Sequence, residues 1–150
     1  TEDGLPAVFG TKGNPYTHIV LRGGNGPNYD RASIARCEEA LRAANLPLRI
    51  MVDCSHGNSN KQPERQGDVL KDLLAQCESC NRSLCGFMLE SQIEWGSQPM
   101  TKDPRDLRPG VSVTDPCIDW PATEALLLEA CDRFKPCMTA RMPRPPTPKP

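Results

Sequence analysis

Residues 49–60, Arg-Ile-Met-Val-Asp-Cys-Ser-His-Gly-Asn-Ser-Asn, hold an apolar run that leads directly into a cluster of small polar residues. The run Ile50–Val52 is typical of a strand buried on both faces of a parallel sheet, and Gly57–Asn60 indicate a loop. His56, one of two histidines in the chain, lies where the strand ends. Because functional residues of parallel α/β folds collect at the carboxyl ends of strands, this stretch predicts a functional site in an α/β protein.

The same pattern recurs once before this stretch and once after it. Arg22, His56 and Glu90 are spaced 34 residues apart, and each follows an apolar run with strand character. A strand, a helix and two loops fit that spacing in a repeating βα architecture, so we predict three consecutive βα units. Parallel strands then place all three side chains at one edge of the sheet. Asp115, which follows a long loop, could fold back over that edge.

Helix and strand signals surround these runs in the expected order. We predict strands at residues 5–9, 18–21, 50–52 and 84–89, and helices opened by Asp30, Pro63 and Pro121. The apolar positions with helical spacing are Ile34, Cys37, Leu41 and Ala44 on the first helix, Val69, Leu70, Leu73, Leu74 and Cys77 on the second, and Leu126, Leu127, Cys131 and Phe134 on the third. These positions are the predicted core.

Composition limits the class of protein. The chain has 150 residues and a net charge of −1, which predicts one domain and no general attraction to nucleic acid or to a membrane surface. No apolar run is long enough to cross a membrane, and no signal-peptide pattern is present, so we expect a cytoplasmic protein. In that reducing compartment the eight cysteines are expected to be buried free thiols rather than disulfides.

The two ends of the chain differ in character from its middle. Thr1 rather than Met begins the sequence, so the chain could start inside a longer protein. We assign residues 1–137 to the α/β domain. Residues 138–150 lack periodicity, and five of the last eight are Pro, which predicts an extended or disordered tail.

The side chains expected at the sheet edge suit metal and anion binding. His56, Glu90 and Asp115 offer an imidazole nitrogen and two carboxylate oxygens, a usual ligand set for a divalent first-row metal. Arg22 carries a planar fork of donors for phosphate or carboxylate, and the two glycines after it allow close backbone approach to the same anion. Together they suggest a metal-assisted reaction of a phosphorylated small molecule. His56, Glu90 and Asp115 also have structural alternatives, which are a core histidine, a loop cap and a turn residue, respectively.

Three weaker patterns predict other chemistry. Cys77 and Cys80, with Cys85, resemble half of a zinc ribbon, although the second half is absent. Cys54 and His56 point to the same face of a strand and could form a thiol nucleophile with its base. Pro143–Pro146 fits a minimal proline-helix ligand. A zinc-ribbon or proline-tail interaction module is therefore one alternative function.

Several motifs resemble, in order, those of type I 3-deoxy-7-phosphoheptulonate synthases (DAHP synthases), which open the shikimate pathway of aromatic amino acid biosynthesis. They are Leu21–Gly24 with Pro27–Tyr29, Met51–Lys61, Asn81–Ser83, Met88–Ser91, and Val113–Asp115 with Cys117–Trp120. The resemblance covers residues 4–134. It implies that residues 1–137 are the C-terminal portion, the last three βα units, of a (β/α)8 TIM barrel belonging to a considerably longer enzyme.

The resemblance also implies roles for single residues. His56, Glu90 and Asp115 match three of the family's four ligands to a divalent metal ion, which could be Mn²⁺, Fe²⁺, Co²⁺ or Zn²⁺, and His56 is the expected catalytic residue. Arg22 matches an arginine that binds phosphoenolpyruvate. The implied reaction condenses phosphoenolpyruvate with erythrose 4-phosphate to 3-deoxy-D-arabino-heptulosonate 7-phosphate and phosphate. The complete enzyme is expected to be a homo-oligomer.

Parts of the family pattern lie outside this sequence or differ in it. The fourth metal ligand, a cysteine, and the Lys-Pro-Arg-Thr motif belong to the missing N-terminal half of the barrel. Three strands cannot close a barrel, so we expect the chain alone to be marginally folded and inactive. The alternative is a non-catalytic metal- or phosphate-binding remnant, or a half-barrel that pairs with a separate N-terminal partner. Pro116, beside Asp115, replaces an alanine and could displace that carboxylate.

Overall fold

Three short strands pair in parallel and in chain order, as the repeated pattern predicts. They are β1 (Ile19–Leu21), β2 (Ile50–Asp53) and β3 (Leu84–Met88), with β2 in the centre. The structure is a computed structural model and describes residues 3–141. The predicted α/β class with a parallel sheet is confirmed, and the carboxyl ends of all three strands lie at one edge.

Helices make the crossovers between the strands. Helix α1 (Arg31–Ala43) joins β1 to β2, and helix α2 (Gln66–Glu78), preceded by a short 3₁₀ turn at Pro63–Arg65, joins β2 to β3. Asp30 caps α1 as predicted, because its side chain accepts a hydrogen bond from the Ser33 N–H at 2.9 Å. The helices thereby hold the three strand ends in parallel register.

The core lies between β2 and the two crossover helices. Ile50, Val52 and Cys54 on and beside β2 are fully buried. The predicted face of α2 is confirmed, since all of its five apolar positions are buried: Val69, Leu70, Leu73, Leu74 and Cys77. None of the eight cysteines, all within residues 3–141, forms a disulfide, but Cys80, Cys85 and Cys131 are exposed rather than buried. Packing in this apolar core therefore holds the central strand in place, and with it the residues at its carboxyl end.

The last helix, α3 (Trp120–Arg141), differs from its prediction in two ways. Leu126 and Phe134 pack against the core, but Leu127 is 43% exposed and Cys131 is also exposed. Within residues 3–141 the main helical contact of α3 is with α2, so residues on its other side have no cover. The helix also continues past the predicted boundary at residue 137, and residues 142–150, the rest of the predicted tail, lie outside the described residues.

The predicted strand at residues 5–9 is wrong. This segment has no regular structure; Val8 is fully exposed and Phe9 is 75% exposed. An extended apolar segment becomes a strand only when a neighbouring strand pairs with it. Among residues 3–141, β1 and β3 each pair with β2 alone, and Ile19 and Val20 on β1 remain partly exposed. Both edges of the described sheet are open.

None of the helices within residues 3–141 combines the length and the apolar character needed to cross a membrane.

The carboxylate of Glu38, on α1, connects this helix to the residues directly before β3. Glu38 accepts hydrogen bonds from Ser83 Oγ at 2.6 Å, Asn81 Nδ2 at 3.1 Å and Arg42 Nη2 at 3.0 Å. These contacts, the one from Ser83 first, hold the pKa of Glu38 below its ordinary value. The ionised carboxylate therefore stabilises the packing of the first helix against the third strand.

Replacement of this carboxylate should weaken the fold in a pH-dependent way. We expect Glu38→Gln to reduce the free energy of unfolding by about 1–2 kcal/mol near neutral pH, because charge-assisted hydrogen bonds are lost. Since the folded pKa is depressed, the contribution is complete above the pKa of the unfolded chain and disappears as the pH falls through the folded pKa. Pulse proteolysis at low protein concentration measures the free energy of unfolding and, when it is repeated at several pH values, its pH dependence. The exposed neighbour, in Glu39→Gln, is the control, and an equal loss in that variant would contradict the prediction.

Candidate metal centre

Three potential ligands meet at the carboxyl ends of β2 and β3. His56 Nε2 lies 3.2 Å from Glu90 Oε1 and 3.7 Å from Asp115 Oδ2. One ligand atom from each residue lies within 4.8 Å of the other two. The predicted convergence of these residues at one edge of the sheet is thus present in the structure, and each side chain remains partly open to solvent.

A buried carboxylate aims the imidazole of His56. Asp53, the last residue of β2, is 1% exposed, and its Oδ2 lies 2.6 Å from His56 Nδ1. Its Oδ1 accepts hydrogen bonds from the Ser55 N–H at 2.8 Å and Ser55 Oγ at 2.6 Å. A histidine that binds a metal usually donates its other ring N–H to such a carboxylate. Nδ1 is therefore engaged, and Nε2 faces Glu90 and Asp115.

The backbone on both sides of the Glu90 peptide unit is held by one buried side chain. Gln66 is 0% exposed; its Oε1 accepts from the Glu90 N–H at 2.8 Å, and its Nε2 donates to the Glu90 carbonyl at 3.1 Å. The first residue of α2 thereby fixes the end of β3. The sequence did not identify Gln66 or Asp53 as residues of the site. For Asp53 a signal was available, because an acidic residue three positions before a candidate histidine ligand can orient its ring.

Asp115 reaches the site because its segment returns beside the residues that follow β3. Single bridges link Ser91 to Ile118, Gly96 to Cys117 and Ser97 to Ser112. The predicted return of Asp115 over the sheet edge is therefore correct. Pro116 does not carry the carboxylate away, since Asp115 Oδ2 remains 3.7 Å from His56 Nε2.

Arg22 is placed beside this cluster by the close approach of two loops. The Gly57 N–H donates to the Arg22 carbonyl at 3.1 Å, and a Cβ on Gly23 would lie 2.6 Å from the Gly57 backbone. Buried Asn58 links the same loops, because its Nδ2 donates to the carbonyls of Leu21 at 3.1 Å and Asp53 at 2.8 Å. The guanidinium of Arg22 is exposed, and none of residues 3–141 pairs with it, so it is available to an anion.

The electrostatics of the cluster favour a cation. Burial raises the pKa of Glu90 above its ordinary value; the charge of His56 opposes this rise, the carboxylates of Asp115 and Asp53 add to it, and the charge of Arg22 opposes it. The carboxylates of Asp115 and Asp53 thus crowd Glu90 with charges of its own sign. A positive ion placed between them would relieve this repulsion.

The spacing of the ligand atoms also fits a metal ion. Ligands about 2.1 Å from a tetrahedral ion are separated from each other by about 3.4 Å, close to the 3.2 and 3.7 Å found around His56 Nε2. Within the described part of the chain, no other group of three His, Cys, Asp or Glu residues has ligand spacing, so Cys77 and Cys80 do not form the alternative zinc site. Three protein ligands with an open side are typical of catalytic rather than structural metal sites.

The thiol alternative at the same edge is disfavoured. Burial, with a further contribution from the charge of Asp53, raises the pKa of Cys54 to about 12. A thiolate is the reactive form of cysteine, and a buried thiol with such a pKa is inert near neutral pH. His56, moreover, is engaged by Asp53 rather than by Cys54.

The chain is similar in sequence to known proteins. The family described as the DAHP synthetase I family matches residues 5–128. The Tyr-sensitive phospho-2-dehydro-3-deoxyheptonate aldolase of Escherichia coli is 45% identical over 93% of this chain and 39% of its own length. The phenylalanine-inhibited protein of that name from Saccharomyces cerevisiae is 44% identical over 85% of this chain and 36% of its own length.

A solved structure gives the same result for the fold. The phospho-2-dehydro-3-deoxyheptonate aldolase of Francisella tularensis aligns with a TM-score of 0.82 and 38% identity, over 90% of this chain and 39% of that one. The chain thus spans less than two fifths of the length of the E. coli, yeast and Francisella relatives that it matches.

The orienting role of Asp53 can be tested by removing its charge while keeping its shape. We expect Asp53→Asn to weaken Mn²⁺ binding by about 10- to 100-fold, because the imidazole loses the carboxylate that fixes its orientation. Titration of free Mn²⁺ by electron paramagnetic resonance measures the affinity. Asp132→Asn, at an exposed position on α3, is the control. Equal affinity in the Asp53 variant and the control would contradict the assigned role.

Proposed function

The chain belongs to the DAHP synthetase I family, and we propose that it supplies the metal- and phosphoenolpyruvate-binding edge of a 3-deoxy-7-phosphoheptulonate synthase. The observation that carries this proposal is the meeting of His56, Glu90 and Asp115 at one sheet edge, within 4.8 Å of one another. Arg22 lies at the same edge, where its backbone bonds to the loop of His56. A metal site next to an available guanidinium suits a phosphorylated substrate.

The fold in which this edge works is proposed to be a (β/α)8 barrel, of which this chain holds the last three βα units. Two observations support the proposal. The strands are parallel, consecutive and open at both edges, as a segment of a barrel would be. The matched E. coli and yeast relatives are also more than twice as long as this chain. The N-terminal barrel half would then pair with β1 and β3.

Each residue has a definite part in the proposed reaction. The Arg22 guanidinium binds the phosphate of phosphoenolpyruvate with its fork of donors. His56, Glu90 and Asp115 hold the divalent ion, for which Mn²⁺, Fe²⁺, Co²⁺ and Zn²⁺ all suit the ligand set. The chemistry that such an ion supplies when bound is polarisation of the aldehyde of erythrose 4-phosphate. Asp53 keeps the His56 ring oriented, and the loop around Asn58 keeps Arg22 at a fixed place beside it.

A second candidate is a chain that binds metal or phosphate without catalysis, or that works only with a separate N-terminal partner. The open edges of the sheet favour it, since apolar residues such as Ile19 and Val20 are partly exposed along β1. The two candidates share one metal site and differ in whether the other half of the barrel is present.

A fusion protein separates these candidates. We expect the 150-residue chain alone to leave phosphoenolpyruvate unconsumed in the presence of erythrose 4-phosphate and Mn²⁺. The same chain should become active when it is fused behind the unmatched upstream part of the E. coli relative, because both substrate sites are then complete. Activity when the two parts are expressed as separate chains would support the two-piece candidate.

Single substitutions in the fusion protein test the site itself. His56→Ala should lower kcat/KM by more than about 100-fold, since it removes a ligand rather than a supporting partner. The control is His18→Ala, at the chain's other histidine, which is exposed. This variant should keep kcat/KM within a few-fold of the parent value. A folded fusion protein without activity, or one that tolerates His56→Ala, would refute the proposed function.

A further inference from the structure

The loop after His56 closes into a strained ring. The Lys61 N–H donates to the His56 carbonyl at 2.7 Å, and Asn60 and Lys61 both adopt left-handed backbone angles, with φ of 53° and 58°. Asparagine tolerates this conformation, whereas lysine has no local side-chain contact that favours it. Such strain persists where the surrounding structure enforces it, and it is concentrated at functional sites. The position of Lys61 therefore calls for a reason.

The ring places the ammonium group of Lys61 against one of the three potential metal ligands. Lys61 Nζ lies 3.3 Å from Asp115 Oδ1, whereas Asp115 Oδ2 is the oxygen that faces His56 Nε2, at 3.7 Å. The two oxygens of one carboxylate thus have different partners. A contact of this kind fixes the rotation of the carboxylate and leaves a single oxygen directed at the metal position.

Stability alone does not account for the contact. The Lys61 side chain is 64% exposed, and an ion pair so accessible to solvent contributes little to folding. The left-handed backbone at Lys61 is itself unfavourable for a residue with a side chain. The left-handed turn is closed by backbone hydrogen bonds from the Lys61 N–H to the His56 carbonyl and from the Asn60 N–H to the Gly57 carbonyl. It places the ammonium group of Lys61 on the outer oxygen of Asp115, and this placement, rather than a gain in stability, points to a role at the site.

We propose that Lys61 is a positioning residue that holds Asp115 as a single-oxygen ligand of the divalent ion. This inference rests on the proposed function, because it requires a metal ion between His56, Glu90 and Asp115. Lys61 touches neither the ion nor the substrate in this role. It acts through the outer oxygen of Asp115, as Asp53 acts through Nδ1 of His56.

Two opposing effects decide the sign of the expected result. The charge of Lys61 repels a cation, but the side chain is largely in water, where repulsion is screened. Loss of a hydrogen-bonding partner that orients a ligand typically lowers metal affinity about 10- to 100-fold. Orientation should therefore outweigh repulsion, and removal of Lys61 should weaken binding.

Three substitutions of Lys61 distinguish positioning from a structural role. Lys61→Met removes the charge at similar length, Lys61→Gly also relieves the backbone strain, and Lys61→Arg keeps a donor. We expect Lys61→Met and Lys61→Gly to raise the Mn²⁺ Kd at least about 10-fold and Lys61→Arg to stay within about threefold. The thermal midpoint of Lys61→Gly should equal or exceed that of the parent fusion protein, because glycine accepts a positive φ without strain.

The measurement is Mn²⁺ titration of the fusion protein by electron paramagnetic resonance, with Lys71→Met, an exposed lysine on α2, as control. Unchanged or tighter binding in Lys61→Met overturns the inference while His56→Ala still abolishes binding, which leaves the proposed metal site standing. A lower thermal midpoint in both Lys61→Met and Lys61→Gly, in proportion to the lost affinity, would also overturn it in favour of a structural role. A parent fusion protein that binds no Mn²⁺, or binds it equally in His56→Ala, refutes the metal site and the inference together.

Discussion

Asp53 is a carboxylate buried at the end of the central strand, and such burial is unfavourable unless hydrogen bonds compensate for lost water. The chain provides those bonds locally, from Ser55 and from the His56 ring. To do so it turns sharply after β2, and His56 takes a left-handed φ of 42°. The direction of the imidazole is a consequence of satisfying one buried charge, and the rest of the site is arranged around that direction.

The loop after His56 then determines what lies beside the ring. Its close contact with the Arg22 loop requires glycine at Gly23 and Gly57, because a Cβ on either residue would press on the opposing backbone. Beyond the strand ends, where the strands no longer pair, the buried side chain of Asn58 forms hydrogen bonds with the backbone on both sides and so connects the two loops. A guanidinium and an imidazole from different βα units are thus held together by backbone packing rather than by contact with each other.

Sequence reasoning succeeded where the arrangement follows from strand order and failed where it follows from loop conformation or from missing neighbours. The equal spacing of Arg22, His56 and Glu90 sufficed to predict their common edge, because parallel strands end on the same side. Gln66 and Lys61 were missed as site residues, since their roles depend on turns that no periodicity encodes. Residues 5–9 and the outer side of α3 were predicted from apolar pattern alone, and that pattern records a tendency to be buried without naming the partner.

The charges at the sheet edge impose an order on what the site can attract. Asp53, Glu90 and Asp115 carry three formal negative charges, and Arg22 and Lys61 carry two positive ones, so the edge has a negative excess when His56 is neutral. A phosphorylated anion approaches such an edge against repulsion. A divalent cation among the three ligands would reverse the excess and strengthen the field of the exposed guanidinium. The acidic ligands and the arginine thus have complementary roles. The ligands bind the cation, and the bound cation makes the edge able to hold an anion.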